Sequence, residues 1–339
     1  MTRIPHNRPS LGEREAAAAH RVVSSGYVAS GPETAAFEDE FCAYLGLDSG
    51  HAVAVSSGTA ALYLTLEAFG ARGKRVGVSR YTCSSVGHAV ALAGASSIPI
   101  DIVSDDHADM DLDALRAAAP QLAIVAHLFG IPQRLDGFSM PVIEDCAQSL
   151  GARAGGRPVG LQGDAGVFSF YATKMITAGG QGGMVVARDR RLVESVRELL
   201  AYNLPDTIPK MNFHSTDVQS AIARVQLQRL EEFRERREGI FEKYLEAGIP
   251  LMVERDAHVA AVRYRAVVVD DRVAMLARAL DAAGIDTRVP IKPEELEDAP
   301  GGTHAAALAL RSLFLPIFAG MQTGEVNRVI EGAGAVLSR

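Results

Sequence analysis

The chain has 339 residues, enough for about two domains at roughly 150 residues each, and its 48% apolar and 22% charged residues exclude a disordered polymer. With 34 basic against 41 acidic residues the formal charge is −7, which argues against a nucleic-acid partner held by bulk electrostatics. Cys42, Cys83 and Cys146 form no CxxC pair and have no histidines at ligand spacing, so a disulfide scaffold or zinc site is not expected and a reducing cytoplasm is.

In chain order, the start has no apolar h-region, so no secretory leader is expected. The Ala16–Ala19 patch reads as helix. Strands are predicted at His51–Val55, Arg75–Val78, Ile98–Ile102, Leu122–Ala126, Pro141–Glu144, Gly166–Phe170 and Met184–Ala187, several of them apolar almost throughout. Such strands belong to a mostly parallel sheet covered on both faces. Helices at Thr59–Phe69, Ser84–Ala93 and Leu112–Ala119 alternate with them, the pattern of a doubly wound α/β domain. Tyr81 to Ile100 is the longest stretch without Asp, Glu, Lys or Arg, yet Ser84, Ser85, His88, Ser96 and Ser97 make it too polar to span a bilayer. Asp217 to Leu245 predicts one long amphipathic helix capped by Ser215 or Thr216. Its basic run, Arg229 to Arg237, alternates with Glu231, Glu232 and Glu235, so i,i+4 pairs on a solvated face are expected. Beyond Pro250 come a strand at Arg263–Val269, a helix at Arg272–Ala283, a short strand near Thr287 and a helix at Gly324–Leu337. The expected division is a large domain over residues 1–240 and a small C-terminal α/β domain over 241–339.

Three segments carry chemistry. A strand runs through Ser56, Ser57 and Gly58 into the Thr59 helix, and small residues at a helix N-terminus suit an anion. The segment matches neither GxxxxGK[ST] nor a well-placed GxGxxG, which disfavours nucleoside triphosphates and dinucleotides. The Pro141 strand ends in Glu144 and Asp145. Alternation sends these to opposite sides, so one can face a ligand beyond the strand ends. Lys174 follows the aromatic run Phe168-Ser169-Phe170-Tyr171 and precedes the Gly-rich loop Gly179–Gly183, in a chain where only five of 34 basic residues are lysine. Unlike arginine, lysine can deprotonate when desolvated and attack a carbonyl. Anion cradle, carboxylate and amine together are what pyridoxal phosphate (PLP) requires. His127, at another strand end, reads as a structural histidine bonded to backbone rather than a cofactor contact.

The blocks Ser57-Gly58-Thr59-Ala60-Ala61-Leu62, Glu144-Asp145-Cys146-Ala147-Gln148, Phe168-Ser169-Phe170-Tyr171-Ala172-Thr173-Lys174 and Gly182-Gly183-Met184-Val185 resemble the DegT/StrS-type sugar aminotransferases. Ser30-Gly31-Pro32, Asn212, Thr216-Asp217-Val218-Gln219 and Leu315-Pro316 extend the resemblance across nearly the whole chain. It implies a PLP-dependent transferase of fold type I with a mostly parallel seven-stranded sheet. It also implies that Lys174 carries PLP through its amine and shuttles protons, and that Asp145 pairs with the pyridine nitrogen. Gln148 would sit near the ring hydroxyl, and Gly58, Thr59 and Ser169 would hold the phosphate. Asn212 would reach that phosphate from the second subunit of a homodimer. The implied reaction moves an amino group from glutamate or glutamine to a keto group of a sugar or nucleotide-linked sugar, with no membrane partner.

Departures bear on the acceptor. Cys83 stands where an aromatic residue usually covers the ring, His214 where a basic residue is common, and Gln181 where glutamate is common. Thr287–Glu295 lacks the expected aromatic and histidine residues. A cyclitol or other small ketone is therefore the alternative acceptor. A PLP-dependent dehydratase is disfavoured because Lys174 is kept, and a non-catalytic sensor because no basic DNA-binding block is present.

Overall fold

The structure, a computed structural model, describes residues 2–201, 210–296 and 302–337. Seven short strands share one sheet: β1 (Ala52–Val55), β2 (Arg75–Ser79), β3 (Ser96–Ile100), β4 (Leu122–Ala126), β5 (Val142–Asp145), β6 (Ala165–Ser169) and β7 (Gly183–Val186). Their spatial order is β1-β7-β6-β5-β4-β2-β3, and β7 alone runs antiparallel to its neighbours. β1 and β7 are buried at every position, which is why they read as apolar runs rather than alternations.

The helices of this unit are α1 (Glu13–Ser25), α2 (Pro32–Leu45), α3 (Gly58–Ala68), α4 (Ser84–Leu92), α5 (Leu112–Ala118), α6 (Arg190–Leu200), α7 (Asp217–Gln228) and α8 (Leu230–Glu246). Alternating strand residues supply two cores. Ala52, Ala54, Phe168 and Met184 pack with Phe37 and Phe41 of α2 and Phe233 of α8 on one face. Val53, Val55, Val167 and Val185 pack with Leu62, Leu64 and Leu66 of α3 and Val193 of α6 on the other. Phe41 meets Phe168 edge-on at 5.0 Å. The Tyr81–Ile100 stretch forms α4 and then β3.

The C-terminal unit pairs β8 (Ala266–Val269) with β9 (Ser312–Leu315) antiparallel and adds α9 (Val273–Ala282), α10 (His304–Arg311) and α11 (Thr323–Leu337). Its core gathers Ile240, Phe241 and Tyr244 of α8 with Val268, Leu276, Leu313 and Val329, and it also takes in Ile4 from the start of the chain. Ile4 bridges Ile285, so the first residues lie against this unit.

Several expectations need correction. The predicted single helix is two, broken at Arg229, whose guanidinium binds buried Glu15 at 2.9 Å and ties the break to α1. Neither glycine nor proline marks that break. Thr216, not Ser215, caps α7, with Gln219 completing the capping box. The basic run does not lie on one solvated face of i,i+4 pairs. Arg229–Glu232 and Arg234–Glu231 are i,i+3 pairs, Arg236 binds the Ala319 and Met321 carbonyls, and Arg237 is buried. The strand expected near Thr287 amounts to a single bridge between Arg288 and Phe314.

Candidate active site

The carboxyl ends of β1, β2, β4, β5 and β6 converge on a cavity of about 300 Å³. β1 passes through Ser57 into α3, where Ser57 Oγ accepts a hydrogen bond from the Ala60 amide at 3.1 Å. Gly58 and Thr59, at the N-terminal end of α3, line the cavity, where the helix dipole favours an anion. A Cβ on Gly58 would sit 2.8 Å from Ser169 Cβ, and one on Gly183 would sit 2.3 Å from the Ser57 carbonyl oxygen. Glycine there lets β6 and β7 close on the helix end. Gly58, Thr59 and Ser169 thus share one wall.

The two acids of β5 separate as strand alternation requires. Asp145 lines the cavity, buried, with Oδ1 accepting from the Ala147 amide at 3.0 Å. Burial pushes its carboxyl above the ordinary value, opposed by the Ala147 amide, Lys174 and His127. A cationic ring nitrogen beside it would relieve that cost. Glu144 points to the other side of the sheet. Its oxygens accept from the amides of Gly160 at 2.9 Å, Gln162 at 2.6 Å and Gly163 at 2.8 Å, and from His127 Nε2 at 2.9 Å. Burial alone would raise it; the hydrogen bond from His127, with the Gly163 and Gly160 amides, holds it below the ordinary range. Glu144 is an internal anchor for the 160–163 loop.

Lys174 sits just past β6, in a turn closed by its own amide donating to the Tyr171 carbonyl at 2.9 Å. The Gly-rich loop folds back over this turn. Ala172 N–H donates to the Gly180 carbonyl at 2.9 Å and Phe170 N–H to that of Gly182 at 2.8 Å. Lys174 lines the cavity, with Nζ 5.4 Å from the centre of the Tyr264 ring.

Gln148 also lines the cavity, but its Oε1 is engaged by the Phe129 amide at 2.8 Å. Phe129 has φ +61°, a left-handed conformation uncommon for a bulky residue, so Gln148 secures a strained corner. Its Nε2 is the end left for a ligand. His127 is fully buried at the cavity wall, and the expectation of purely backbone partners is incomplete. Gln133 N–H donates to Nδ1 at 3.2 Å, which assigns the proton to Nε2, the atom bonded to Glu144. Cys83 lines the cavity as an exposed residue at the start of α4, with Ser85 Oγ 3.2 Å from its sulfur.

Asn212 does not line the cavity. It is exposed, one residue from Phe213, whose carbonyl accepts from the Ser56 amide at 2.8 Å. Leu62, Thr82, Ser85 and Leu128 also line the cavity, and the sequence reading gave none of them a role. Thr82 and Ser85 lie beside the Cys83 position and were within reach; Leu62 and Leu128 read as ordinary core. Thr82 Oγ1 is buried and has no hydrogen-bond partner among the described residues.

An open helix end, a buried carboxylate and an amine line one cavity of this α/β fold, and the residues present fit PLP. Residues 9–333 match the DegT/DnrJ/EryC1/StrS aminotransferase family, to which the chain belongs; it is a PLP-dependent aminotransferase. The aminotransferase TlmJ from Streptoalloteichus hindustanus superposes with a TM-score of 0.91 at 29% identity, over 99% of each chain. DesV of S. venezuelae, solved with a ketimine intermediate, gives 0.89 at 31% identity over 96% of this chain and 94% of its own. The sugar aminotransferase CalS13 from Micromonospora echinospora gives 0.85 at 25% identity over 98% and 99%.

Proposed function

We propose that this aminotransferase moves an amino group from glutamate or glutamine to a keto group of a sugar or nucleotide-linked sugar. The observation that carries the reading is the single cavity joining the α3 N-terminus, Asp145 and Lys174. The sugar acceptor draws support from the similarity to CalS13 and from a wall rich in hydroxyl and amide groups: Ser57, Thr82, Ser85, Gln148 and Gln181. Bound PLP supplies an electron sink next to the reacting carbon. The Gly58 and Thr59 amides and Ser169 would hold its phosphate, and Asp145 would keep the pyridine nitrogen protonated. Lys174 would carry the cofactor, and its Nζ would move a proton to and from the substrate carbon. Glu144, through His127, holds the wall beside Asp145 in one arrangement.

The assembly we propose is a cytoplasmic homodimer in which Asn212 reaches the partner's phosphate. Support comes from the exposure of Asn212 and from exposed Val23, Tyr27 and Val28 near the end of α1. No helix among the described residues is long and apolar enough to cross a membrane. The domain boundary is proposed at residue 240, inside α8, where Leu230 and Phe233 pack on the large sheet and Ile240, Phe241 and Tyr244 on the C-terminal core.

A second reading, a cyclitol or other small ketone as acceptor, is favoured by Cys83, which puts a small side chain on the cavity wall. Loading the enzyme with amino groups and screening keto-sugars, with and without a nucleotide, against keto-cyclitols decides between them. Turnover confined to cyclitols would overturn the sugar reading.

A further inference from the structure

The turn after β4 carries backbone strain at the cavity wall. Among the described residues only Ala119 and Phe129 combine a side chain with positive φ. Ala119 ends α5, where a left-handed residue is common. Phe129, with φ +61°, ends no α-helix and is 3% exposed. Such a conformation persists only where the surroundings over-determine it. Its ring meets Tyr81 edge-on at 6.2 Å and Phe314 of β9 at 5.4 Å, and the Tyr81 hydroxyl lies 3.0 Å from Ser312 Oγ. Next along, the Gly130 carbonyl accepts from the Val262 amide at 2.9 Å. Gly130 has φ +94°, and a Cβ there would fall 1.9 Å from the Val262 carbonyl oxygen.

The Phe129 N–H donates to Gln148 Oε1 at 2.8 Å. That bond helps the corner, yet the ring box and the Gly130–Val262 pair hold the corner from other sides. The glutamine is the looser partner, because its terminal amide can turn either its oxygen or its NH₂ toward a ligand. An N–H facing it settles the choice: oxygen to Phe129, NH₂ to the cavity. Since φ is rotation about the N–Cα bond, returning Phe129 to negative φ would turn the peptide carrying its N–H against the chain leading to Gly130. The bonds to Gln148 and to Val262 do not both survive that turn.

We propose that Phe129 is a positioning residue that acts through Gln148: its left-handed backbone, boxed by Tyr81 and Phe314, fixes the glutamine NH₂ toward the cavity. The inference rests on the seating of PLP in that cavity, since bound PLP is what would feel the amide. Glycine would meet the same φ without cost, but it has no ring for the box to grip.

The test compares Phe129→Ala, Phe129→Gly and Gln148→Met in the PLP-loaded protein. Both Phe129 variants lose the ring, but only glycine takes φ +61° freely. The visible absorption of bound PLP, titrated with pH, should shift its midpoint in Phe129→Ala in the direction seen for Gln148→Met. PLP retention in dialysis should fall about threefold to tenfold in both, the loss of one neutral hydrogen bond. Phe129→Gly should stay nearer wild type on both counts, and adding Phe129→Ala to Gln148→Met should change little further. A space-filling role alone would make alanine at least as good as glycine and its effect independent of Gln148; either result would overturn the proposal. If Phe129→Ala does not fold, Phe314→Leu, which loosens the ring box from β9, should shift the midpoint the same way, and no shift would overturn it. An unmoved midpoint in Gln148→Met would instead reject the seating of PLP against Gln148. Hydrogen exchange followed by mass spectrometry would still read the pair: the Phe129 amide should exchange faster in Gln148→Met than in wild type, and equal exchange would overturn the proposal.

Discussion

Glu144→Gln separates the structural acid of β5 from the chemical one. The carboxylate meets donors on both oxygens: Gln162 and Gly163 amides on Oε1, the Gly160 amide and His127 Nε2 on Oε2. A glutamine amide must turn its NH₂ toward one of these pairs, leaving two buried donors facing a donor. At about 1–3 kcal/mol for each orphaned group, the loss is about 2–6 kcal/mol at neutral pH. Urea unfolding of the cofactor-loaded protein measures it. Because the folded-state value of Glu144 lies below the ordinary one, its contribution is full above the unfolded carboxyl value. That contribution is lost as pH falls through the folded value, so the gap between wild type and Glu144→Gln should narrow in acid. A difference under about 1 kcal/mol at pH 7, or a gap that widens in acid, would refute the reasoning.

Asp145→Asn should still bind PLP yet slow turnover by orders of magnitude, equivalent to several kcal/mol of barrier, in single-turnover kinetics with donor; a harmless Asp145→Asn beside a crippled, stably folded Glu144→Gln would mean the wrong acid was assigned. Gly58→Ala places a Cβ 2.8 Å from Ser169 Cβ and should weaken PLP retention, measured by dialysis, more than it lowers the melting temperature. In a random mixture of Lys174→Ala and Asn212→Glu subunits, each inactive alone, half the dimers are mixed and half of their sites intact, so roughly a quarter of wild-type activity should return if sites are shared across a two-fold axis. Recovery near zero after proven subunit exchange would place Asn212 at its own subunit's site.

Legibility in the sequence followed the range of the forces involved. The central sheet strands show because burial on both faces makes them apolar runs, while the edge strand β3 is buried only at Ile100, and the turns at Ser57 and Lys174 show because small residues and a rare lysine interrupt the pattern. The Arg229 break does not show: it is set by a contact with Glu15 on a distant helix. β9 carries no turn signal of its own and reads only as the approach to Leu315-Pro316. Strand alternation told that Glu144 and Asp145 part company, but which one faces the cavity depends on loop 160–163 folding under the sheet. The pairing of His127 with Glu144 is a product of tertiary packing between the ends of two neighbouring strands.

The central claim is amino transfer through Lys174, and one spectrum tests it. The purified protein loaded with PLP should show a visible absorption that L-glutamate or L-glutamine abolishes, with one equivalent of the matching 2-oxoacid released per site. Lys174→Ala, folded and mixed with PLP, should show neither change. A wild-type spectrum indifferent to both donors, with no oxoacid released, or a Lys174→Ala variant that turns over like wild type, would contradict the account.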